Sequence, residues 1–280
     1  MRWLVKKNDR QLVENLTKNC KLTELQANLL LNRGIVSVED ANKYLYGDLS
    51  SLYNPLLIMD LEKGADIIID AIKNKKKITI FGDYDADGIT ATATAMLALQ
   101  YLGANVDYYL PHRLYEGYGM NSEAIRKIKD AGTDVIVTVD NGIASVNEVK
   151  LAKELGMKIV VTDHHNCPDI LPEPDALINP KRPGDVYPNK NLCGCGLIWR
   201  VLEVVFTKMN ANIDYIYDLL ALVAVGTVAD VMNLTDENRI LVKEGLMAIN
   251  ANVNLGLSSL MKIFNLEEVK AEDIGFKIGP

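Results

Sequence analysis

The sequence predicts an α/β fold: a five-stranded, mainly parallel sheet flanked by helices, with an N-terminal helical segment and C-terminal helices. Three observations carry this. From residue 77 onward, short apolar runs alternate with stretches of helical spacing. The runs are almost continuously apolar, as strands buried on both faces must be. Acidic residues close several of them on what would be one edge of the sheet, where ligands bind in open parallel sheets.

The expected strands are 77–81 (KITIF), 105–110 (NVDYYL), 134–139 (DVIVTV), 158–162 (KIVVT) and 175–179 (DALIN). Helical patterns over 88–102, 121–131 and 144–155 separate the first four. Gly103, Gly132 and Gly156 follow these helices, where a glycine commonly ends a helix. Residues 1–60 read as helical, with Leu22, Leu25, Leu29 and Leu30 on one face. Gly34 is expected in a left-handed conformation, and Ser37 is a plausible N-cap with Asp40 three positions on. Asn54-Pro55 breaks the pattern, and 61–74 resumes it. The first 60 residues read as a cap or lid without chemistry of its own. After a proline-rich loop, 194–208 is a long amphipathic helix and 214–232 an apolar, buried one. The expected organisation is an N-terminal helical segment (1–75), a catalytic domain (76–232) and a helical connector (233–280).

With 280 residues, 49% hydrophobic and 24% charged, the chain has ample material for a core. No apolar run approaches the roughly 18 residues of a membrane span, and the start lacks the apolar stretch of a signal peptide. No membrane association and a cytoplasmic location are therefore expected. Cys20, Cys167, Cys193 and Cys195 form no CxxC pair and read as reduced thiols. A zinc site built on Cys193 and Cys195 is disfavoured by their distance in sequence from His164. The net charge of −7 argues against a broad basic face for nucleic acid, though not against a narrow basic channel.

The segment 77–94, KITIFGDYDADGITATAT, concentrates the chemistry. Asp83, Asp85 and Asp87 fall at alternate positions after a strand and repel one another unless something positive sits between them. A divalent metal is the natural counterion, since hard cations take oxygen ligands. Asp140 closes the third strand, and Asp163 closes the fourth with His164 and His165 behind it. One such Asp is usually a turn former or helix cap; three strands ending this way point to a site. Asp230 lies among Val228, Ala229, Val231 and Met232 and needs a partner, because an unpaired buried charge is costly. A metal ligand fits the inferred site; a salt bridge or a C-terminal turn residue is the alternative. A calcium-binding EF-hand loop fails, since its twelfth position is Thr94 rather than Glu and a strand precedes it. The D-x-D-G-T signature of haloacid-dehalogenase phosphatases is interrupted by Ile89 and leaves the histidine pair unexplained.

GDYDADG (82–88), VTVDNGI (137–143), TDHH (162–165) and GTVADVM (226–232) resemble the four ordered motifs of the DHH phosphoesterase superfamily. Within it, the chain is similar to the RecJ family of single-strand-specific 5′→3′ exonucleases. PHRLYEGYGMN (111–121), the NRGI lead-in and NRILV (238–242) carry the finer likeness. The resemblance implies two Mn²⁺ or Mg²⁺ ions. Asp83, Asp85 and Asp140 would hold one; Asp87, Asp140, His164 and Asp230 the other, with Asp140 bridging. Asp163 would orient a histidine, and His165 would contact the phosphoryl oxygen. A water between the ions would be the nucleophile. Arg113 suits a terminal 5′-phosphate, with His112, Gly117 and Tyr118 assisting and Tyr115 or Tyr118 stacking a base. The implied activity releases nucleoside 5′-monophosphates from single-stranded DNA in recombination and repair, with a helicase or single-strand-binding protein as partner. The resemblance also implies that the chain is the catalytic core of a longer protein with a further DHH-associated domain. The rivals are DHH hydrolases of oligonucleotides, cyclic dinucleotides, polyphosphate or pyrophosphate, and a metal-free replication scaffold.

Overall fold

A computed structural model of the chain describes residues 6–115, 117 and 119–280. It begins with helices α1 (Arg10–Asn19), α2 (Glu24–Asn32) and α3 (Val38–Tyr46). Each starts at a side-chain cap: Asp9, Thr23 and Ser37 accept from the amides of Gln11, Gln26 and Asp40. Val13, Leu16, Ala27, Leu30 and Ile35 close a small core among them.

Two short turns lead to α4 (Leu61–Lys73), and the sheet follows. Its elements are β1 (Lys77–Phe81), α5 (Ala86–Tyr101), β2 (Asn105–Tyr109), α6 (Ser122–Asp130), β3 (Val135–Val139), α7 (Val146–Glu154), β4 (Lys158–Thr162) and β5 (Ala176–Ile178). All pairings are parallel and the spatial order is β2-β1-β3-β4-β5. The fold is thus a five-stranded parallel sheet flanked by helices. Alternate residues serve opposite faces. Ile78, Ile80, Val137 and Val160 pack with α4, α5 and the later helices, whereas Phe81, Ile136, Ile159 and Val161 pack with α6 and α7. The order reverses between β1 and β3, so the switch point lies at the ends of the strands that carry Asp83 and Asp140.

Beyond the sheet come α8 (Gly194–Lys208), α9 (Ile213–Asp218), α10 (Leu220–Ala229), α11 (Asp236–Asn250) and α12 (Leu255–Ile263). The single helix expected over 214–232 is two helices meeting at Leu219. The indole N–H of Trp199 donates to the Ile216 carbonyl at 2.8 Å. That carbonyl is the acceptor a continuous helix would have offered to the amide four residues on. Among the described residues, no helix is long and apolar enough to cross a membrane.

One buried acid ties the N-terminal helices to the rest. Glu237, with no exposed surface, accepts from the Tyr53 amide at 2.8 Å and the Tyr187 hydroxyl at 2.7 Å. Burial and the charge of Glu237 both raise the Tyr187 phenol above its ordinary range. Beside it, Lys43 pairs with Asp236 at 2.6 Å, and the buried Arg200 pairs with Glu203 and donates to the Tyr53 carbonyl. Glu237→Ala strands two buried donors. It should cost about 2–5 kcal/mol of stability, with Glu237→Gln costing less, read from urea unfolding midpoints.

Candidate metal centre

The C-terminal ends of β1, β3 and β4 bring the expected acids and imidazoles to one place. Asp83 follows β1, is 1% exposed, and accepts from the Tyr84 amide at 2.7 Å. Asp85 is exposed and caps α5, accepting from Gly88 N at 2.9 Å. Asp87, in the first turn of α5, is turned inward toward the start of α8. The amides of Gly194 and Cys195 donate to its two oxygens at 2.5 and 2.9 Å. A helix N-terminus presents unsatisfied N–H groups and partial positive charge, so it holds a carboxylate well.

Asp140 ends β3 with a left-handed backbone (φ 62) that turns its side chain back over the sheet edge. His164 Nε2 lies 2.9 Å from Asp140 Oδ1, 3.6 Å from Asp230 Oδ2 and 3.7 Å from Asp87 Oδ2. Asp230 is the C-cap of α10. Asp163 has other partners. Its Oδ1 is 2.8 Å from His165 Nδ1, and its Oδ2 accepts from the Ile143 amide at 2.8 Å. Asp163 therefore fixes the ring of His165, which stays half-exposed.

Three sets of ligand atoms lie within 4.8 Å of one another: Asp83–Asp85–Asp140, Asp87–His164–Asp230, and Asp140–His164–His165. Asp140 belongs to two of them. The electrostatics match this crowding. Burial, and then the charges of Asp87 and Asp85, push Asp140 up to about 10. Burial also raises Asp83, Asp87 and Asp230, and it lowers His164. Burial opposes ionisation of Asp163 too, yet the hydrogen bonds from His165 and Ile143 hold it below the usual carboxylate range. The reciprocal bond, chiefly, pushes His165 up to about 9.

Two glycines make the crowding sterically feasible. A Cβ on Gly194 would stand 2.5 Å from Asp140 Cβ, and one on Gly226 would stand 2.7 Å from Asp87 Oδ1. No residue with a side chain fits at either point without displacing a carboxylate.

Arg113, His112 and Tyr115 lie in the turn after β2. The Arg113 guanidinium sits 5.3 Å from the ring centroid of Tyr84, the residue between Asp83 and Asp85. His112 engages its own turn, accepting from Leu114 N at 3.2 Å and lying 4.6 Å from the Tyr115 ring. Gly117 is exposed with φ 78, and Tyr118 lies outside the described residues. A cavity of about 460 Å³ opens beside His165, lined in part by Gly119, Met120, Ile143, Ala144 and Asn166.

Sequence reasoning misses the amides that hold the acids. The run CGCG at 193–196 shows in sequence only two thiols and the start of the helix expected over 194–208, not donors aimed at an acid. It is the capped start of α8, where Cys193 Sγ accepts from Gly196 N at 3.2 Å. Cys195 is packed against Thr94. Asn179, fully buried, donates to the His165 carbonyl at 2.9 Å and is missed as well. An unbroken run of small residues before a helix is the available signal.

The chain is similar to proteins of known activity. The single-stranded-DNA-specific exonuclease RecJ of Bacillus subtilis (strain 168) is 40% identical over 282 residues, covering 100% of this chain and 35% of that protein. RecJ of Escherichia coli (strain K12) is 35% identical over 284 residues, covering 97% and 48%. The crystal structure of RecJ in complex with Mn²⁺ from Thermus thermophilus aligns with a TM-score of 0.81 at 28% identity, covering 98% of this chain and 38% of that one. The chain thus spans less than half the length of each of these. Residues 77–227 match the DHH family, N-terminal domain, and take in β1 through most of α10 with nearly all of the acidic centre. With more than half of its length inside that match, the chain belongs to the DHH family.

Proposed function

We propose that the chain carries the catalytic centre of a two-metal phosphodiesterase that removes nucleoside 5′-monophosphates from the 5′ end of single-stranded DNA. One observation carries the reading: ligand atoms converge within 4.8 Å in the sets Asp83–Asp85–Asp140, Asp140–His164–His165 and Asp87–His164–Asp230, which are linked in a row through Asp140 and His164. The residues present fit divalent ions. The donor set is five carboxylates and one imidazole, a hard set suited to Mn²⁺ or Mg²⁺. Among the described residues, His164 Nδ1 and Asp230 Oδ2 are buried without a hydrogen-bond partner. Asp83, Asp85 and Asp140 would hold one ion; Asp87, Asp140, His164 and Asp230 the other. Bound there, two ions would supply Lewis-acid polarisation of a phosphoryl group and a water acidified toward neutrality.

The remaining work belongs to this chain's own side chains. The Asp163 carboxylate lies 2.8 Å from His165 Nδ1 and favours the charged imidazole, so His165 would donate to a non-bridging phosphoryl oxygen as negative charge builds. Asp163 keeps the ring aimed outward at substrate. Arg113, stacked toward Tyr84, binds the terminal 5′-phosphate through its planar donor fork. Tyr115, 83% exposed, offers a face for a base. The relatives named exonuclease RecJ, and the Mn²⁺ in one of their structures, support this substrate and cofactor.

In this reading, residues 1–75 form a helical segment on a catalytic domain of 76–232, and 233–280 connect onward. A helicase or single-strand-binding protein would present the strand, and a cytoplasmic location suits that work. A metal-free scaffold would have no use for six converged ligand positions, four of them buried.

With Mn²⁺, the chain should hydrolyse 5′-phosphorylated single-stranded DNA in preference to duplex DNA, and EDTA should abolish this. Hydrolysis of pyrophosphate alone would sink the nuclease assignment. Asp140→Ala, which removes the shared ligand, should lower the rate at least about 10³-fold while circular dichroism stays native. Gly194→Ala, whose methyl displaces Asp140, should weaken Mn²⁺ binding in calorimetric titration and cost about 1–3 kcal/mol of stability.

A further inference from the structure

The loop that leaves β5 carries two adjacent cations with opposite fates. Arg182 is consumed internally: it donates to Asp60 Oδ2 at 2.8 Å and to the Leu177 carbonyl. Lys181 is not. Its backbone amide donates to Asn179 Oδ1 at 2.8 Å, while the Asn179 amide group holds the carbonyl of His165. One buried side chain thus registers Lys181 directly against the histidine at the metal centre. Lys181 is partly buried, yet among the described residues its ammonium has neither an ion pair nor a hydrogen bond. Lys181 follows β5, on the same edge of the sheet as the acids that follow β1, β3 and β4. A half-buried cation on that edge, with its ammonium unpaired among the described residues, is placed for an anion that arrives from outside.

The strand order says which anion. Arg113 follows β2 and Lys181 follows β5, the two ends of the row β2-β1-β3-β4-β5. The metal centre lies between them on β1, β3 and β4. Four strand spacings of about 4.8 Å separate the ends of the row by roughly 19 Å. With two long side chains available to shorten it, that span suits three consecutive phosphates of an extended single strand.

We propose that Lys181 binds the phosphate on the 3′ side of the scissile bond. A strand then lies across the sheet edge with its 5′-phosphate at Arg113, its scissile phosphate at His165 and the metal centre, and its next phosphate at Lys181. This rests on the nuclease reading above and gives it a direction: two cations of different geometry define the two ends of the track. The guanidinium fork suits a dianionic terminal phosphate, and the compact ammonium suits a singly charged internal one.

The test compares 5′-phosphorylated dinucleotide and trinucleotide substrates with Mn²⁺. The dinucleotide has no phosphate beyond the scissile bond. On the trinucleotide, Lys181→Gln should raise KM about tenfold with kcat within twofold, the effect of losing one charge-assisted contact. On the dinucleotide it should change nothing. The slope of log KM against log salt for the trinucleotide should fall by about 0.7. Lys181→Arg should restore most of the affinity, and both variants should keep the wild-type melting temperature and Mn²⁺ titration curve. An equal loss on both substrates, or no loss on the trinucleotide, overturns the assignment of Lys181 and leaves the nuclease reading standing. If the wild-type chain cleaves neither oligonucleotide, the nuclease reading falls and this inference falls with it.

Discussion

Too many carboxylates share too little space, and the rest of the structure answers to that constraint. Asp83, Asp87 and Asp140 are each 1% exposed, with Asp85 and Asp230 close by, and among the described residues Asp87, Asp140 and Asp230 lie within ion-pair distance of the His164 imidazole. At an effective dielectric of about 20, two unit charges 4 Å apart interact by about 4 kcal/mol, so several adjacent anions are untenable without cations or protons. The upward shift of Asp140 expresses the proton alternative. Divalent ions are the other, and they let every carboxylate ionise in place. A cluster that must be neutralised to be stable is also one that binds its neutraliser tightly.

The fold meets the constraint with backbone rather than with basic side chains. The N-terminus of α8 aims two N–H groups at Asp87, and the Ile143 amide does the same for Asp163. Amide dipoles stabilise an anion without neutralising it, so the carboxylate keeps the lone pairs and charge that a metal requires. An arginine in the same place would compete for the site. The glycines at 194 and 226 follow from this choice, because the helices must approach until their main chain touches the acids.

This division explains what can be read in advance. The sheet is legible because its strands are apolar runs set between periodic segments, and residues 77–81 and 158–162 are strands as expected. Gly34 takes φ 79, and Ser37 caps α3, because those residues act locally. The carboxylates and His164 are legible because acidic residues after apolar strands are conspicuous. What escapes depends on contacts distant in sequence. The Trp199 indole that ends α9 lies 17 residues from its acceptor, and the Gly194 amide lies 107 residues from Asp87. Main-chain donors leave no trace in residue type beyond the small side chains that permit them. The edge strand β2 is also less buried than a covered parallel strand should be, since Tyr108 is 55% exposed despite its aromatic ring.

Rigidity at the centre follows from the same packing. Asp83, Asp140 and His164 stand at the ends of three strands hydrogen-bonded in register, while Asp87 and Asp230 come from helices α5 and α10 that pack on one another. A donor that follows a ladder-bonded strand is restrained by it, so the strand-borne members of the cluster are held close together by the sheet itself. The residues proposed to touch substrate, Arg113 and Lys181, sit instead on the loops that leave the two outer strands. Position in the sheet therefore separates the two jobs. On the proposed reading, inner strands would supply ligands that must not move, and outer loops would supply long cationic side chains that can follow a passing phosphate chain.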